Sequence, residues 1–260
     1  MPYLIDLDGT VYCGRNPLPH AADFIGLLNR RQVPYRFVTN APENHPADIE
    51  RRLEAMGIPA QPGTVVTAAM LAVDCLQDMA GREPIRRVSV LGDEYLKGLV
   101  AQKGFILDKE RPDCVLVSFA RSITAGEIQD ASCQIREGAR FIATNPDDQI
   151  PSERGLVPHT GFIVETIAAC SGVEPVMAGK PSAAMKKVYP ALFGCRPEQI
   201  RVVGDRLDTD MAFARACGFR AYLMLTGAVS HREAMERPQA YDRVFENMAE
   251  LIALEESRRD

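Results

Sequence analysis

The stretch Tyr3-Leu4-Ile5-Asp6-Leu7-Asp8-Gly9-Thr10 decides the fold class of this chain. Residues 3–7 predict a short β-strand, and the side chains of a strand alternate between its two faces. Asp6 and Asp8 are therefore expected to point the same way at the carboxyl end of the strand, where ligands bind in an open α/β sheet. Two carboxylates held this close repel each other unless one is protonated or a cation lies between them. The pair predicts a metal site, an acid/base pair, or both.

The length, composition and charge of the chain narrow the class of protein. The 260 residues allow one large domain or two modest ones, and an apolar fraction of 46% is enough for a sizeable core. The formal net charge is −5 with basic residues scattered along the chain, which argues against nucleic acid as the main partner. The sequence shows no signal-peptide pattern, no apolar stretch long enough for a bilayer and no C-x-x-C pair among its seven cysteines. We therefore expect a cytoplasmic protein with reduced thiols and no membrane partner.

Short apolar runs alternate with helical stretches along most of the chain. This alternation predicts βαβ units and a parallel sheet. Two loops rich in glycine, proline and charge, at residues 81–84 and 172–181, flank a segment of about a hundred residues that could be an inserted domain. The predicted strands are residues 3–7, 35–39, 87–91, 114–119, 140–143, 200–203 and 221–225. The predicted helices are residues 21–32, 46–56, 67–79, 94–102, 124–137, 162–169, 182–192 and 208–216.

Polar groups suited to an anion follow two of these stretches. Thr39 and Asn40 end a predicted strand and can hold a phosphate oxygen, although an asparagine before a proline-bearing turn is also ordinary turn chemistry. Lys180 precedes Pro181 at a predicted helix start, where its charge opposes the helix dipole. Either an anion holds the lysine there or it is a solvated surface residue.

A second acidic cluster follows the strand predicted at residues 200–203. Asp205 repeats the geometry of Asp6, whereas Asp208 or Asp210 could be no more than a helix N-cap. Magnesium prefers oxygen ligands, and Asp6, a group from Asp8, and Asp205 would suit it. The histidine spacing does not fit a zinc site, and the serine-hydrolase and dinucleotide motifs do not occur.

Taken in order, these motifs resemble the haloacid dehalogenase (HAD) superfamily of phosphotransferases. The motifs are D-L-D-G-T at residues 6–10, T-N at 39–40, G-K-P at 179–181 and G-D-R-L-D-T-D at 204–210. The interval after Asn40 has room for a cap domain, as in the NagD-like, p-nitrophenylphosphatase branch (type IIA, C2 cap). The A-T-N-P-D run at residues 143–147 is also similar to that branch, whereas Ala41 and the run S-F-A-R at 118–121 depart from its pattern.

The resemblance implies a fold and a division into domains. The fold is α/β, with a Rossmann-like doubly wound parallel sheet as its core and an inserted α/β cap domain. The HAD-like catalytic core would comprise residues 1–80 and 179–260, and the C2-type cap that selects the substrate would comprise residues 81–178.

The resemblance also implies a Mg²⁺-dependent phosphatase that acts through an aspartyl-phosphate. Asp6 would be the nucleophile and Asp8 the general acid/base. The phosphoryl group would be bound by Thr39, Asn40 and Lys180. The Mg²⁺ ion would be held by Asp6, the backbone carbonyl of Asp8, and Asp205, with Asp210 behind these ligands or reaching the metal through water.

The expected substrate is a small phosphorylated metabolite such as a nucleoside monophosphate or a sugar phosphate, with p-nitrophenyl phosphate as a substrate in vitro. Arg121, Arg154 and His159 are either substrate contacts in the cap or ordinary surface residues. Exposed cap surfaces could pair, which allows a homodimer. Two alternatives stay open at this point: a phospho-acceptor signalling domain, and an inactive phosphate-binding protein on the same scaffold.

Overall fold

The structure is a computed structural model that describes residues 1–42, 45–152 and 155–258. Within these residues the strands β1 to β15 are, in chain order, Tyr3–Ile5, Tyr12–Cys13, Asn16–Pro17, Tyr35–Thr39, Val65–Thr67, Arg87–Leu91, Ile106–Leu107, Cys114–Val117, Arg140–Ala143, Gln149–Ser152, Gly155–Pro158, Val176–Met177, Arg201–Gly204, Arg220–Met224 and Arg243–Phe245. The helices α1 to α10 are Ala21–Arg30, Pro46–Ala55, Ala68–Ala80, Glu94–Gln102, Ala125–Arg136, Thr160–Ser171, Val188–Phe193, Ala212–Cys217, His231–Glu236 and Met248–Glu256.

The chain folds into two compact units. The first unit contains Met1–Thr39, Pro46–Val66 and the chain from Pro181 onward, and the second contains Asn40–His45 and Thr67–Lys180. These bounds differ from the predicted cap at residues 81–178, since helix α3 also belongs to the second unit. The reason is the apolar face of α3, which packs into one buried cluster with β6 and β8. The glycine-proline stretch at residues 81–84 is therefore a loop inside this unit.

The first unit is built on a six-stranded sheet in the order β15-β14-β13-β1-β4-β5. β1 pairs in parallel with β13 on one side and β4 on the other, so that Ile5 lies opposite Val203 and Phe37. The chain therefore winds outward from β1 in both directions. This confirms the predicted doubly wound α/β core, and it places the crevice for a ligand at the carboxyl end of β1.

Burial on both faces explains why the central strand β1 is apolar along its whole length. Tyr3, Leu4 and Ile5 are all buried, as expected for a parallel strand covered by helices. Phe24 of α1 lies edge-on to Tyr3, with 5.4 Å between ring centroids. Leu251 of α10 joins the same core cluster. Full burial of each such side chain contributes roughly 1.5–3 kcal/mol, which fixes helices on the sheet and with them the strand ends.

The second unit has its own five-stranded sheet in the order β12-β9-β8-β6-β7, with every neighbouring pair parallel. β8 is buried along its whole length. Helices α3 and α4 contribute to one apolar cluster, and α5 and α6 contribute to another. Thr124 caps α5 in a capping box with Glu127. An antiparallel hairpin of β10 and β11 completes the unit.

The structure supplies two facts about membranes and thiols. Among the helices of the described residues, none combines the length and apolar character needed to cross a bilayer. All seven cysteines are described, and all are free thiols. Burial raises the pKa of Cys114 and of Cys217 to about 12. Burial that resists ionisation in this way makes these two thiols unreactive.

A buried ion pair ties the last helix to the core sheet. Arg201 of β13 donates to Glu255 of α10 at 2.9 Å, and the Tyr3 hydroxyl donates to the same carboxylate at 2.6 Å. Both charged side chains are buried. Removing one partner leaves the other charge uncompensated, so we expect Glu255→Ala to lower the free energy of unfolding by about 3 kcal/mol or more. Urea denaturation followed by circular dichroism measures this.

The neighbouring residue Glu256 is the matched control, because it lies on the same helix with an exposed side chain. Glu256→Ala should change the free energy of unfolding by no more than about 0.5 kcal/mol. Equal unfolding midpoints for the Glu255 and Glu256 variants would show that the buried pair does not stabilise the fold.

Candidate active site

Three carboxylates converge at the carboxyl ends of β1 and β13. Asp6 directly follows β1, and its backbone N–H donates to the Val203 carbonyl at 2.8 Å. Asp205 directly follows β13. Asp210 comes from a single π-helical turn, Leu207–Met211, that precedes α8. One carboxylate oxygen of each aspartate lies within 4.8 Å of those of the other two. Long-range strand pairing thus gathers acids that are far apart in sequence.

This arrangement is suited to a bound cation. Asp205 and Asp210 are buried, and Asp6 is partly buried. Two negative charges at about this separation repel by roughly 3 kcal/mol in the effective dielectric of a protein site. A set of three hard oxygen donors is the set that Mg²⁺ prefers, with water and a substrate oxygen completing an octahedron. The residues present therefore fit a magnesium ion.

Glycines form the wall around these carboxylates. A Cβ atom built on Gly227 would come within 2.0 Å of Asp205 Oδ2, and one built on Gly9 would come within 2.3 Å of the same atom. A Cβ atom on Gly204 would come within 2.3 Å of Asp210 Cγ. Gly9 also has a φ of +80°, a conformation that side chains disfavour. The site therefore requires glycine at these positions for lack of space.

The loop after β14 also shapes the site, and the sequence reading missed it. The backbone N–H of Ala228 donates to Asp205 Oδ2 at 2.6 Å, and the Thr226 hydroxyl donates to the Gly9 carbonyl at 2.7 Å. This loop, Thr226–Ala228, therefore orients Asp205 and fixes the turn after β1. The available signal was a Thr-Gly pair directly after a predicted strand, at the same sheet edge as Asp6.

The neighbours of Asp210 in sequence have different roles. The backbone N–H of Arg206 donates to Asp210 Oδ2 at 3.2 Å, which holds Asp210 toward the cluster. Asp208 instead has an exposed side chain that pairs with the Arg206 guanidinium at 3.0 Å. Hydrogen bonding to Arg206 lowers the pKa of Asp208. Of the three aspartates in this run, Asp205 and Asp210 thus join Asp6, and Asp208 does not.

Asp8 is not one of the three clustered carboxylates. β1 ends at Ile5 rather than at residue 7, so Asp8 lies in the turn that follows, with an exposed side chain. The Tyr12 hydroxyl donates to Asp8 Oδ2 at 3.3 Å. Burial, and then the charge of Asp8, raise the pKa of Tyr12, which keeps this donor protonated. The Arg52 guanidinium lies 4.2 Å from the centre of the Tyr12 ring and holds it in place.

Thr39 is buried at the end of β4 in the first unit, and the next residue, Asn40, begins the second unit. The Asn40 carboxamide is tied to Lys180: Oδ1 accepts from the Lys180 backbone N–H at 2.9 Å, and Nδ2 donates to the Lys180 carbonyl at 3.0 Å. Lys180 is only 3% exposed. The alternative of a solvated surface lysine is therefore wrong, because the surrounding residues bury it.

The three cap candidates fare differently. Arg121 has an exposed side chain. His159 is 2% exposed and stacks on Phe119 with 4.6 Å between ring centroids, so it is a packed residue and not a surface one. Arg154 lies outside the described residues. The structure thus leaves Arg121 as the exposed charge among them.

Comparison with known proteins identifies the family. Residues 3–106 match the family of haloacid dehalogenase-like hydrolases, and residues 177–251 match a HAD-hydrolase-like family. The chain is 32% identical over 252 residues to an acid sugar phosphatase of Staphylococcus haemolyticus, covering 96% of this chain and 95% of that one. It is 36% identical over 233 residues to the 5'-nucleotidase YutF of Bacillus subtilis, covering 90% of each.

Solved structures agree with this. A 4-nitrophenylphosphatase from Thermotoga maritima superposes with a TM-score of 0.87 at 32% identity, covering 96% of this chain and 95% of that one. NagD from Escherichia coli K-12 gives a TM-score of 0.88 at 28% identity, covering 96% and 97%. A magnesium complex of a glycerol phosphate phosphatase from Mycobacterium tuberculosis gives 0.85 at 33% identity, covering 96% and 75%. The chain therefore belongs to the haloacid dehalogenase-like hydrolases, in their NagD-like branch, and is a phosphatase.

Proposed function

We propose that this enzyme is a Mg²⁺-dependent phosphomonoesterase that acts through an aspartyl-phosphate on Asp6. The observation that carries the proposal is the convergence of Asp6, Asp205 and Asp210, whose oxygens lie within 4.8 Å of one another. Asp6, the backbone carbonyl of Asp8, and Asp205 would hold the ion, and Asp210 would support them or reach it through water. When bound, Mg²⁺ offsets the repulsion between the nucleophile and the phosphate.

Asp6 acts as the nucleophile in this proposal, and Asp8 acts as the general acid/base. An Asp6 oxygen attacks phosphorus, its bond to phosphorus forms, and the bond to the leaving oxygen breaks. Asp8 gives its proton to that leaving oxygen. Asp8 then takes a proton from water, whose oxygen attacks phosphorus and releases Asp6 and inorganic phosphate. The exposed side chain of Asp8, hydrogen-bonded to Tyr12, suits this exchange of protons with substrate and water.

Three residues bind the phosphoryl group in this proposal. Thr39 donates its hydroxyl and Lys180 supplies a compact positive charge for the equatorial oxygens, where charge accumulates in phosphoryl transfer. Asn40 contributes its backbone N–H, because its carboxamide is bonded to the backbone of Lys180. This assignment departs from the expectation that the Asn40 side chain itself holds the phosphate.

The substrate is proposed to be a small phosphorylated metabolite chosen by the second unit acting as a cap. The relatives are named for sugar phosphates, nucleotides and glycerol phosphate, which share a phosphate monoester and little else. A nucleoside monophosphate or a sugar phosphate therefore remains the proposed class. A cytoplasmic enzyme, and a homodimer paired through the cap, remain predictions.

Purified enzyme with Mg²⁺ is expected to release phosphate from p-nitrophenyl phosphate and from several members of a panel of small monoesters. Removing the metal with EDTA should abolish turnover, because the three clustered carboxylates would then repel both each other and the substrate. Added Mg²⁺ should restore it. Turnover that survives EDTA would remove the metal from the proposal.

The same assay separates the signalling alternative from the enzyme. A phospho-acceptor domain would accumulate a stable aspartyl-phosphate without continuous release of phosphate. An inactive phosphate-binding protein would show neither. The phosphatase relatives favour steady release.

A further inference from the structure

The Asn40 carboxamide has a third hydrogen bond besides the two to Lys180. Its Nδ2 also donates to Asp147 Oδ2 at 3.0 Å. An amide nitrogen carries two hydrogens, so one goes to the Lys180 carbonyl and the other to Asp147. Both donors are committed to protein acceptors rather than to a phosphate oxygen. The side chain of Asn40 therefore acts on the backbone of Lys180.

Asp147 is itself held from both sides. The oxygen that accepts from Asn40 also accepts from Asn145 Nδ2 at 2.7 Å. Asn145 is fully buried, and its Oδ1 accepts from the Thr144 hydroxyl at 2.9 Å. The backbone carbonyl of Asp147 accepts from Gly161 N–H at 2.8 Å, at the start of α6. A carboxylate fixed in this way is a rigid acceptor at the end of β9.

Gly179 allows the approach that the network requires. Its N–H donates to the Thr144 carbonyl at 2.7 Å. A Cβ atom built on Gly179 would lie 2.5 Å from that carbonyl oxygen and 2.8 Å from Asn40 Oδ1. A side chain at this position would push Asn40 and the turn after β9 apart. The glycine of the G-K-P motif thus fits the Asn40 contact for a spatial reason.

We propose that Asp147 is a positioning residue for Lys180 and that it acts through Asn40. Asp147 orients the carboxamide of Asn40, and this carboxamide then hydrogen-bonds to both the backbone N–H and the backbone carbonyl of Lys180. This inference rests on the proposed function, in which the Lys180 ammonium binds the phosphoryl group. The bond from Asn40 to Asp147 is charge-assisted, so it is the strong link of the chain. The A-T-N-P-D run thereby gains a role in binding phosphate without touching it.

The test compares Asp147→Ala with Asp148→Ala. Asp148 is the neighbouring acid in the same turn, and its side chain is exposed. Asp147→Ala should raise both KM for p-nitrophenyl phosphate and the inhibition constant of inorganic phosphate about tenfold, the loss expected for one charge-assisted hydrogen bond. Asp148→Ala should leave both constants unchanged. Asp147→Asn, whose amide oxygen can still accept, should fall between them. Loss of folding alone would lower kcat and the melting temperature and leave both constants in place.

Hydrogen exchange at the Lys180 backbone amide tests the contact without relying on activity. This N–H should exchange about tenfold faster in Asp147→Ala than in the wild type and Asp148→Ala, because its acceptor is less firmly held. An enzyme without phosphatase activity would overturn the proposed function and leave this measurement to judge the contact. Exchange and inhibition constants equal to those of Asp148→Ala would overturn the positioning role.

A double-mutant cycle decides whether Asp147 acts through Asn40. If it does, adding Asp147→Ala to Asn40→Ala should change the inhibition constant of phosphate by less than about twofold, because the link is already broken. If the two substitutions instead raise the inhibition constant of phosphate by the product of their separate effects, Asp147 acts by another route, and the inference is contradicted.

Discussion

Asp6→Asn is expected to lower kcat for p-nitrophenyl phosphate on the order of 10⁵-fold or more, the range seen when a covalent nucleophile is removed. The amide nitrogen and the neutral amide oxygen are poor nucleophiles toward phosphorus, so the aspartyl-phosphate would not form. Asn is nearly isosteric with Asp, and the backbone N–H of Asp6 keeps its bond to Val203. The melting temperature should therefore fall little. Steady-state kinetics and a rapid acid quench, which traps phosphate covalently bound to the protein, measure the effect.

Asp8→Asn is the informative companion, because Asp8 would carry a proton and not the phosphoryl group. Asp8→Asn should slow the hydrolysis of alkyl phosphates far more than that of p-nitrophenyl phosphate. The leaving oxygen of an alkyl phosphate needs a proton, whereas the p-nitrophenolate leaving group does not. Substantial turnover by Asp6→Asn, or covalent phosphate trapped on it, would remove Asp6 as the nucleophile. If both variants lost the same factor in kcat on every substrate, the division of roles between Asp6 and Asp8 would be contradicted.

Gly227→Ala is expected to weaken Mg²⁺ binding about 10- to 100-fold, as when a residue supporting a metal ligand is changed. The added Cβ would lie 2.0 Å from Asp205 Oδ2 and 2.8 Å from Gly9 Cα, so the carboxylate has to move. The Ala228 N–H that orients Asp205 would move with it. Isothermal titration of Mg²⁺ into the protein measures the affinity directly, and activity should return at high Mg²⁺ concentration.

Gly98→Ala is the control for this substitution. Gly98 lies within α4, and a Cβ atom there would meet nothing within 4 Å among the described residues. Alanine in a helix interior is favoured over glycine, so this variant should bind Mg²⁺ normally and be slightly more stable. Normal Mg²⁺ affinity in Gly227→Ala would show that the loop Thr226–Ala228 does not hold Asp205.

The parts of the site that lie next to strongly apolar strands could be predicted from the sequence. Asp6 and Asp205 each follow a buried run, and the two strands prove to be neighbours. The α/β class was predictable because central parallel strands are apolar on both faces. The order of the motifs added the family, which the comparisons confirm.

Other features carry no comparable signal in the sequence. Strands β5, β7, β12 and β15 have two or three residues each, too few to show a period, and they exist because a neighbouring strand supplies their hydrogen bonds. The predicted helix at residues 208–216 begins instead as the π-helical turn Leu207–Met211. Within that turn Asp210 Oδ2 accepts from the Arg206 backbone N–H at 3.2 Å. Helix α10 was missed, although its Leu251 is in the core.

The contacts that orient the site residues were also invisible, because they join distant parts of the chain. The bonds from Ala228 to Asp205 and from Asn40 to Asp147 join residues that are 23 and 107 positions apart. The bounds of the second unit depend on the same kind of contact, since only packing shows which sheet α3 covers. A pattern within a short window does not encode such partners.

The position of β1 in the core sheet also has a consequence for the order in which the protein folds. Tyr3 pairs with Arg201, about 200 residues later in the chain, and such distant pairing is slow because a long loop must close first. By contrast, β6, β8 and β9 of the second unit lie within about sixty residues of one another. During synthesis the second unit can therefore complete most of its sheet while the edge of β1 that pairs with β13 is still unpaired. A chain that stops before β13 contains Asp6 but lacks Asp205 and Asp210, and with them two of the three clustered carboxylates.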